Sequence, residues 1–467
     1  MEILRRSPAL GLLTALAAGL ALWPYVGSWA LFVAVPVFFV GANFLSYEHD
    51  LPGQWKIFLT GLGLVMLLSL RIFSVLSEAD MSETNLHNEV GLVSLVRPWG
   101  RMYVMIIDTE HNGRLAARLR FAEYMEGTRI MFDGSTRHFK TADTPGGFDE
   151  RNYWKARDVE SWVSLRNVEE LPSGFSIPLM RYRIFRALTI HMPKLTGEYL
   201  KAAWLGQHTD ELDRQHRRWG TSHLLAVSGF HVGIAVLCAR LLFGQNPWLL
   251  SIIMWAYILL TGAAPSAMRA GLMIQIGIAS QLFGRRVNGA NSVSAAAVLL
   301  LAFRPFLFWD VGWRLSVISA LAITMMPKTK LGWLLIGPVV SMSTFPQIIT
   351  TFDSMPCAGL VINLFAPFYF AFAFVIASVF AFLSLINFPV VGNFLFAVEG
   401  IFLLWERVAD FIADVIPGSF GYHTGTLIIW TAASMFLVCR YFEFSAARTA
   451  AIIPVMTFAA YLLFGML

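Results

Sequence analysis

Charge is scarce in this 467-residue chain. Only 14% of its residues are charged and 57% are hydrophobic, where a soluble domain carries roughly a quarter charged residues. The mean hydropathy of +0.61 excludes an ordinary water-solvated globule and makes lipid the main solvent. Cysteine is scarcer still: Cys238, Cys357 and Cys439 lie in or beside apolar runs, which excludes a disulfide framework or a Cys-x-x-Cys metal centre. No Gly-x-x-x-x-Gly-Lys-Ser/Thr loop is present, so nucleotide phosphates are not gripped in the Walker manner. No two histidines are spaced His-x-His, so the paired ligands of a two-metal hydrolase are missing. No metal or other cofactor is expected. The formal net charge of +5 decides little, because positive-inside loops alone supply such an excess.

What the chain has in abundance is long apolar runs, interrupted once by a polar block. Residues 8–23, 29–46 and 56–76 each approach the ~20 residues that a helix needs to cross hydrocarbon. The first follows Arg5 and Arg6 and lacks a small-residue cleavage site, so it reads as a retained span with the N-terminus in the cytoplasm. Three crossings deliver the polar block, residues 78–175, to the outer face. Further apolar runs extend from His223 to the C-terminus. Together they predict a polytopic α-helical protein of roughly ten to thirteen spanning or re-entrant helices, with broken segments allowed where they line a cavity. Arg285-Arg286, Lys328 to Lys330 and Arg440 to Arg448 fall at alternating ends and are expected on the cytoplasmic side. The divisions are 1–77, 78–175, 176–221 and 222–467. The polar block is expected to be periplasmic or extracellular.

In the polar block, short β-branched and aromatic runs alternate with Gly, Asn and Asp at residues 88–96, 103–108, 115–121, 128–132 and 162–168, which predicts five strands. With a helical segment near residues 150–156 they suit a small Greek-key barrel of the OB type. Tyr103, Phe121, Phe132, Tyr153 and Trp154 are candidates for stacking on bases. Twelve basic residues from Arg97 to Arg166 face fourteen acidic ones from Glu83 to Glu170, so any phosphate contact must be a local patch, placed at Arg114, Arg118 and Arg120. Beyond it, Arg181, Arg183, Arg186, Lys194, Lys201, Arg214, Arg217 and Arg218 stand against four acids. That balance reads as basic interfacial helices that anchor to headgroups or form a collar.

The most specific segment is His223-Leu224-Leu225-Ala226-Val227-Ser228-Gly229-Phe230-His231-Val232-Gly233. It resembles the signature of the ComEC family of competence proteins, with Phe230 where the usual wording has Leu. Thr261-Gly262 with Pro265 and Arg269-Ala270, then Trp313-Arg314-Leu315-Ser316, then Asn363 with Pro367, are similar to further family motifs in the same order. Pro145-Gly146-Gly147-Phe148-Asp149 followed by Tyr153-Trp154 resembles the end of its external domain. The resemblance implies an inner-membrane channel that passes one DNA strand inward during natural transformation. It also implies partners: an external DNA receptor, a separate nuclease, and a cytoplasmic ATPase or single-strand-binding protein. Many members continue into a metallo-β-lactamase-like domain. This chain ends at Leu467 inside an apolar run, so no enzymatic activity is expected of it and strand degradation is assigned elsewhere.

On helical geometry, His223 and His231 lie within about 80° of one another around an axis, able to face one cavity. They are read with Ser228, Arg269, Arg314 and Asn363 as lining or gating the pathway, and Arg269 is the leading candidate for a phosphate contact because an arginine in an apolar run must pair or face water. Arg314 follows Asp310 at i, i+4 spacing, which favours mutual neutralisation. Asp353, Glu406, Arg407 and Asp410 read as helix ends, and Asn363 with Pro367 as a local break. Two alternatives remain: a secondary transporter of a small anion, and an intramembrane hydrolase built on His223, Ser228 and His231. The oligomeric state is not legible.

Overall fold

The computed structural model describes residues 8–28, 30–37, 54–78, 80–142, 147–284, 288–326, 332–385 and 391–421. The apolar runs at 426–438 and 449–467 and the basic pairs at 285–286 and 328–330 lie outside the described residues. Two helices, α1 (Pro8–Val26) and α2 (Gln54–Leu76), precede the sheet domain and a π-turn (Ala30–Ala34) follows α1. All the elements of the polar block then follow: β1 (Asn85–Trp99), β2 (Met102–Thr109), β3 (Arg114–Leu119), β4 (Arg129–Arg137), α3 (Glu150–Lys155) and β5 (Val159–Leu171). The five expected strands and the helix are all present.

The strands close into a barrel in the order β1-β2-β3-β5-β4, with β3 and β5 parallel and β4 returning to β1. Period-two burial fills it, for example Ile130, Phe132, Gly134 and Thr136 of β4 pointing inward. The long strands β1 and β5 bend at register shifts where Asn88 and Asn167 adopt positive φ, a conformation Asn tolerates better than most residues. Asp133 accepts from the Asn88 N–H and from Asn167 Nδ2, each at 3.0 Å, and so pins both bends.

Below the barrel the chain is helical: α4 (Ile177–His191), α5 (Lys194–Leu205), α6 (Asp210–Trp219), α7 (Gly229–Phe243), α8 (Pro247–Leu260), α9 (Pro265–Leu282), α10 (Gly289–Phe303), α11 (Val311–Met325), α12 (Gly332–Phe352), α13 (Ala358–Leu385) and α14 (Val391–Val415). A short hairpin pairs β6 (Ser354–Pro356) with β7 (Ser419–Gly421). Helix α13 is long and apolar enough to cross a membrane, and Gly229–Phe243, Pro247–Leu260, Gly289–Phe303 and Val311–Met325 are among shorter apolar helices. Three apolar cores hold the helices: α1, α2, α10 and α11 around Leu16 and Leu301; α7 to α9 around Met254; α4 to α6 with α13 and α14 around Tyr199 and Phe370.

The last core corrects one expectation. The segment 176–221 is not spread over a surface, because Thr196, Tyr199, Leu200, Ala202, Ala203 and Leu205 of α5 are buried. Its N-terminus is capped from α14 by Glu399, which accepts from the N–H groups of Leu195 (2.9 Å) and Thr196 (2.8 Å). The side chain satisfies orphan donors that would otherwise be desolvated. Asn363 and Pro367 also do not break their helix: α13 runs through Pro367.

The barrel is tied to the helices by charge. Arg157 pairs with Asp310 at 3.0 Å and Arg304 with Asp158. Arg151 lies over the Phe306 ring at 5.4 Å. A third tie is buried: Glu126, in the β3–β4 loop, accepts from Gln207 Nε2 at 2.8 Å and faces Arg181 at 3.8 Å. Burial raises the Glu126 carboxyl above its ordinary range, with Arg181 offsetting part of the shift.

Candidate functional site

The signature segment does not form one helix. Helix α6 stops at Gly220, whose positive φ supplies a left-handed cap and whose missing side chain admits Gly359 of α13: a Cβ there would lie 2.9 Å from the Gly359 Cα. His223 follows on a short 3-10 turn, Ser222–Leu224, while α7 begins only at Gly229. The chain pauses because Leu224, Leu225 and Val227 are buried as anchors and Ser228 takes the extended backbone of an N-cap. His223 and His231 therefore do not share one helical face, although they stay near enough to interact electrostatically. His223 is exposed and His231 is buried.

His231 occupies the third position of α7 and reaches back: its Nδ1 accepts the Ser228 N–H at 3.3 Å and lies 3.2 Å from Ser228 Oγ. A capping box uses a side chain at this position in the same way. Because Nδ1 is the acceptor, the ring proton sits on Nε2. That Nε2–H is buried without a partner among the described residues, and the ring packs against Phe374 at 5.1 Å.

Arg269 arrives from α9. That helix opens at Pro265, a favoured first residue, and Ser266 Oγ donates to the Val227 carbonyl, which fixes α9 to the signature segment. The guanidinium lies beside Gly229, where a Cβ would be 3.5 Å from its Nη2 and 3.2 Å from the Ala270 Cβ. Glycine is the residue that lets the α7 terminus approach this closely. Arg269 is 6% exposed; its Nε donates to Ser316 Oγ at 2.9 Å and its Nη1 lies 3.0 Å from Met273 Sδ. No carboxylate pairs with it among the described residues. Three motifs, separated by about forty residues each, thus meet at one point.

Arg314 belongs to the same helix as Ser316, and its expected pairing with Asp310 is corrected. Asp310 instead caps α11, accepting from the Trp313 N–H at 2.8 Å, and turns its second oxygen to Arg157 of the barrel. Arg314 keeps one bond, Nη2 to the Trp309 carbonyl at 3.4 Å, while its Nε and Nη1 are buried without partners. Among the described residues, the Arg269 guanidinium and the His231 Nε2–H are thus buried donors with no carboxylate partner, while Arg314, two positions before Ser316 and so on another side of α11, keeps Asp310 as an electrostatic neighbour. Such a donor set is complementary to an anion with several oxygens, and the N–H groups at the start of α7 add to it.

Other candidates separate from this centre. Asn363 donates to the Gly220 carbonyl at 3.2 Å and serves the α6–α13 crossing. In the basic segment, Arg181 is buried, donates to the Leu205 carbonyl at 3.1 Å and lies against Gly262, so it is no part of an open collar. Arg217 pairs with Asp213 at 2.7 Å, and Arg218 with Asp410 and Asp414. Arg214 is exposed and bonds the Asp210 carbonyl. Arg183 and Arg186 are exposed without an ion pair among the described residues. On the barrel, Arg114 is neutralised by Asp108 at 2.6 Å and Arg118 by Glu150 at 2.7 Å, leaving Arg120 of the expected patch. Phe132 and Trp154 are buried core residues and cannot stack on a ligand.

Sequence reasoning missed Arg97, Trp99 and Arg157, which gather around Tyr153 together with Phe148 of the Pro-Gly-Gly-Phe-Asp segment. Their signal is weak in sequence because the loop from β4 to β5 folds back on the turn between β1 and β2.

The architecture defines a helical bundle with an inserted closed barrel and a buried, donor-rich cationic centre under it. The chain belongs to the competence protein family, whose model matches residues 206–446, a stretch that holds Ser228, Arg269, Arg314 and Ser316 and leaves out the barrel. It is similar to ComE operon protein 3 of Bacillus subtilis (strain 168), 27% identical over 347 residues, which is 67% of this chain and 44% of the relative. An uncharacterized protein of Aquifex aeolicus (strain VF5) is 27% identical over 216 residues, 44% of this chain and 51% of that one. The chain thus spans about half the length of these relatives. No solved structure matches it.

Proposed function

We propose that this protein is a multi-pass membrane channel through which single-stranded DNA enters a bacterial cell during natural transformation. The observation that carries the reading is the meeting of Ser228-Gly229, Arg269 and Ser316 around a buried guanidinium that no carboxylate among the described residues neutralises. A charge buried at such cost is retained where a mobile counter-charge visits it. A phosphodiester backbone brings one negative charge per nucleotide, and a centre with donors but no fixed acid holds each phosphate without trapping it. Membership of the competence family supports DNA as the cargo.

The bundle's outer surface supports lipid as its solvent. Leu237, Leu241 and Leu242 of α7, Ile252 of α8 and Phe372 and Phe382 of α13 are exposed, an apolar surface far beyond what a soluble monomer presents. The barrel, read as of the OB type, stands on the outer face and receives the strand. Force comes from a partner ATPase, from capture by a strand-binding protein inside, or from the membrane potential. Strand degradation is assigned to a separate nuclease. Hydrolysis by Ser228 and His231 is disfavoured, since the imidazole Nδ1 already accepts a backbone N–H and no acid orients Nε2.

The test supplies labelled duplex to cells carrying Arg269→Gln and Arg269→Lys. Gln is expected to abolish internalisation and Lys to retain part of it, since the point charge survives without the planar fork. Normal transformation in a deletion strain overturns the channel. Loss of small-anion uptake with DNA uptake intact replaces it with an anion transporter.

A further inference from the structure

We infer that the junction between barrel and bundle carries a nucleotide-binding site for single-stranded nucleic acid, with Phe148 offering its ring face to a base, Tyr153 and Trp99 supporting that ring from behind, and Arg97 holding the adjoining phosphate. The inference rests on the channel reading for its cargo and gives that cargo its first point of contact.

Aromatic residues of this region divide into two groups. Phe139, Trp154 and Trp162 interlock at ring separations of 5.2 to 6.3 Å, with Trp154 fully buried, and form a second core, the floor under α3, on the outer face of the barrel beside Val104, Ile106 and Ala116. Phe148 is different: it is 62% exposed and leans on Tyr153 at 5.4 Å, which in turn meets Trp99 at 5.3 Å. Phe148 stands directly before the Asp149 cap of α3, with its ring outside both apolar cores of the barrel domain. Tyr153 and Trp99 are half-buried and back Phe148 from behind, so the accessible ring face is that of Phe148, and such a face is what single strands stack on, each base adding about 1–3 kcal/mol.

The charge pattern selects the same place. Arg114, Arg118 and Arg129 of the barrel are answered by Asp108, Glu150 and Glu110. Arg97 has no carboxylate partner among the described residues. Its Nη2 donates to Tyr153 Oη at 2.7 Å, its Nε is buried without a partner, and its guanidinium lies 5.5 Å from the Trp99 ring centroid. The loop that carries Phe148 and Tyr153 joins β4 to β5, and Trp99 opens the turn from β1 to β2. These are the loops with which five-stranded barrels of this type grip oligonucleotides.

Local sequence builds the arm. Asp149 caps α3 by accepting from the Asn152 N–H at 2.7 Å, so that Trp154 plunges into the floor while Tyr153 stays at the rim. Arg157, 3.7 Å from the Tyr153 ring centroid, holds the rim to Asp310. A nucleotide bound there lies over the end of α11, the helix that carries Arg314 and Ser316.

The experiment measures binding of a fluorescent dT oligomer of about a dozen nucleotides, and of its abasic counterpart, to the full chain in lipid nanodiscs. Phe148→Ala is expected to weaken dT binding about tenfold and to have no effect on the abasic strand. Arg97→Gln is expected to weaken both and to reduce the salt slope by about 0.7. Phe175→Ala, at an exposed phenylalanine elsewhere, serves as the control that leaves binding unchanged. Wild-type affinity in both Phe148→Ala and Arg97→Gln overturns the site, as does a Phe148→Ala loss confined to association of the protein with anionic vesicles. Purified-protein binding reads this site, whereas uptake by the deletion strain reads the channel, so either fails separately.

Discussion

At the scale of single residues, function and stability pull against each other at Arg269. Its guanidinium is buried with a serine and a thioether for company, and replacing a poorly compensated buried charge by an apolar side chain of similar length is neutral or stabilising by about 1 kcal/mol or more. Arg269→Met is therefore expected to leave thermal unfolding in detergent unchanged or raise its midpoint while abolishing DNA uptake; a large loss of stability would make Arg269 a structural residue. Glu126 gives a pH signature. Its folded-state carboxyl titrates above the ordinary value of 4.5, so the folded state binds the proton more tightly than the unfolded chain does. Stability from this group is present at low pH and falls as pH rises above about 4.5 through the raised value. Glu126→Gln, which keeps a carbonyl for Gln207 and Val96, is expected to flatten that slope in midpoints measured across pH. Arg269 was legible because an arginine inside an apolar run stands out. Arg314 was misread because sequence spacing sees only its own helix, and the winning partner of Asp310 lies about 150 positions earlier in the chain.

At the scale of elements, Asp310 performs two tasks that substitutions separate. One oxygen caps α11 and the other pairs with Arg157. Asp310→Asn keeps the cap and loses the pair, while Asp310→Ala loses both and is expected to cost about 1 kcal/mol more. Adding Arg157→Gln to Asp310→Asn should then cost little further, a result that thermal unfolding of the two single variants and the double variant checks. If Asp310→Asn matches Asp310→Ala in stability, the cap contributes nothing. The strands of the barrel were legible because each is half-buried and alternates with period two. Helix α5 was misjudged for the opposite reason: Lys194, Glu198 and Lys201 give it a polar look, yet its small residues Gly197, Ala202 and Ala203 let it sink into the core between α13 and α14.

At the scale of the whole molecule, contacts at the two ends of the bundle fix its direction. Arg304, after α10, and Asp310, before α11, both reach the barrel. The 15 residues of α10 span about 22 Å, which carries its other end away from the barrel; there Asn291 accepts from the Ala9 N–H at 3.0 Å and Gly289 abuts Thr324 near the end of α11. Helices α7 and α9 start beside each other at the cationic centre and run the same way, so the turn at Gln245 lies at the far end. The sequence flanks of α1, α9 and α11 carry Arg5, Arg6, Arg285, Arg286, Lys328 and Lys330, which the positive-inside rule expects on the cytoplasmic side. That orientation is an expectation from charge spacing, and the two ends of the bundle are where it is tested. A single cysteine at Arg101 on the barrel should accordingly react with a membrane-impermeant maleimide on intact spheroplasts, and one at Gln245 only after permeabilisation, both in a chain cleared of Cys238, Cys357 and Cys439. Labelling of both sites from one side would remove the membrane from between them, and with it the conduit, because a cationic centre reached from a single side binds phosphate without passing it on.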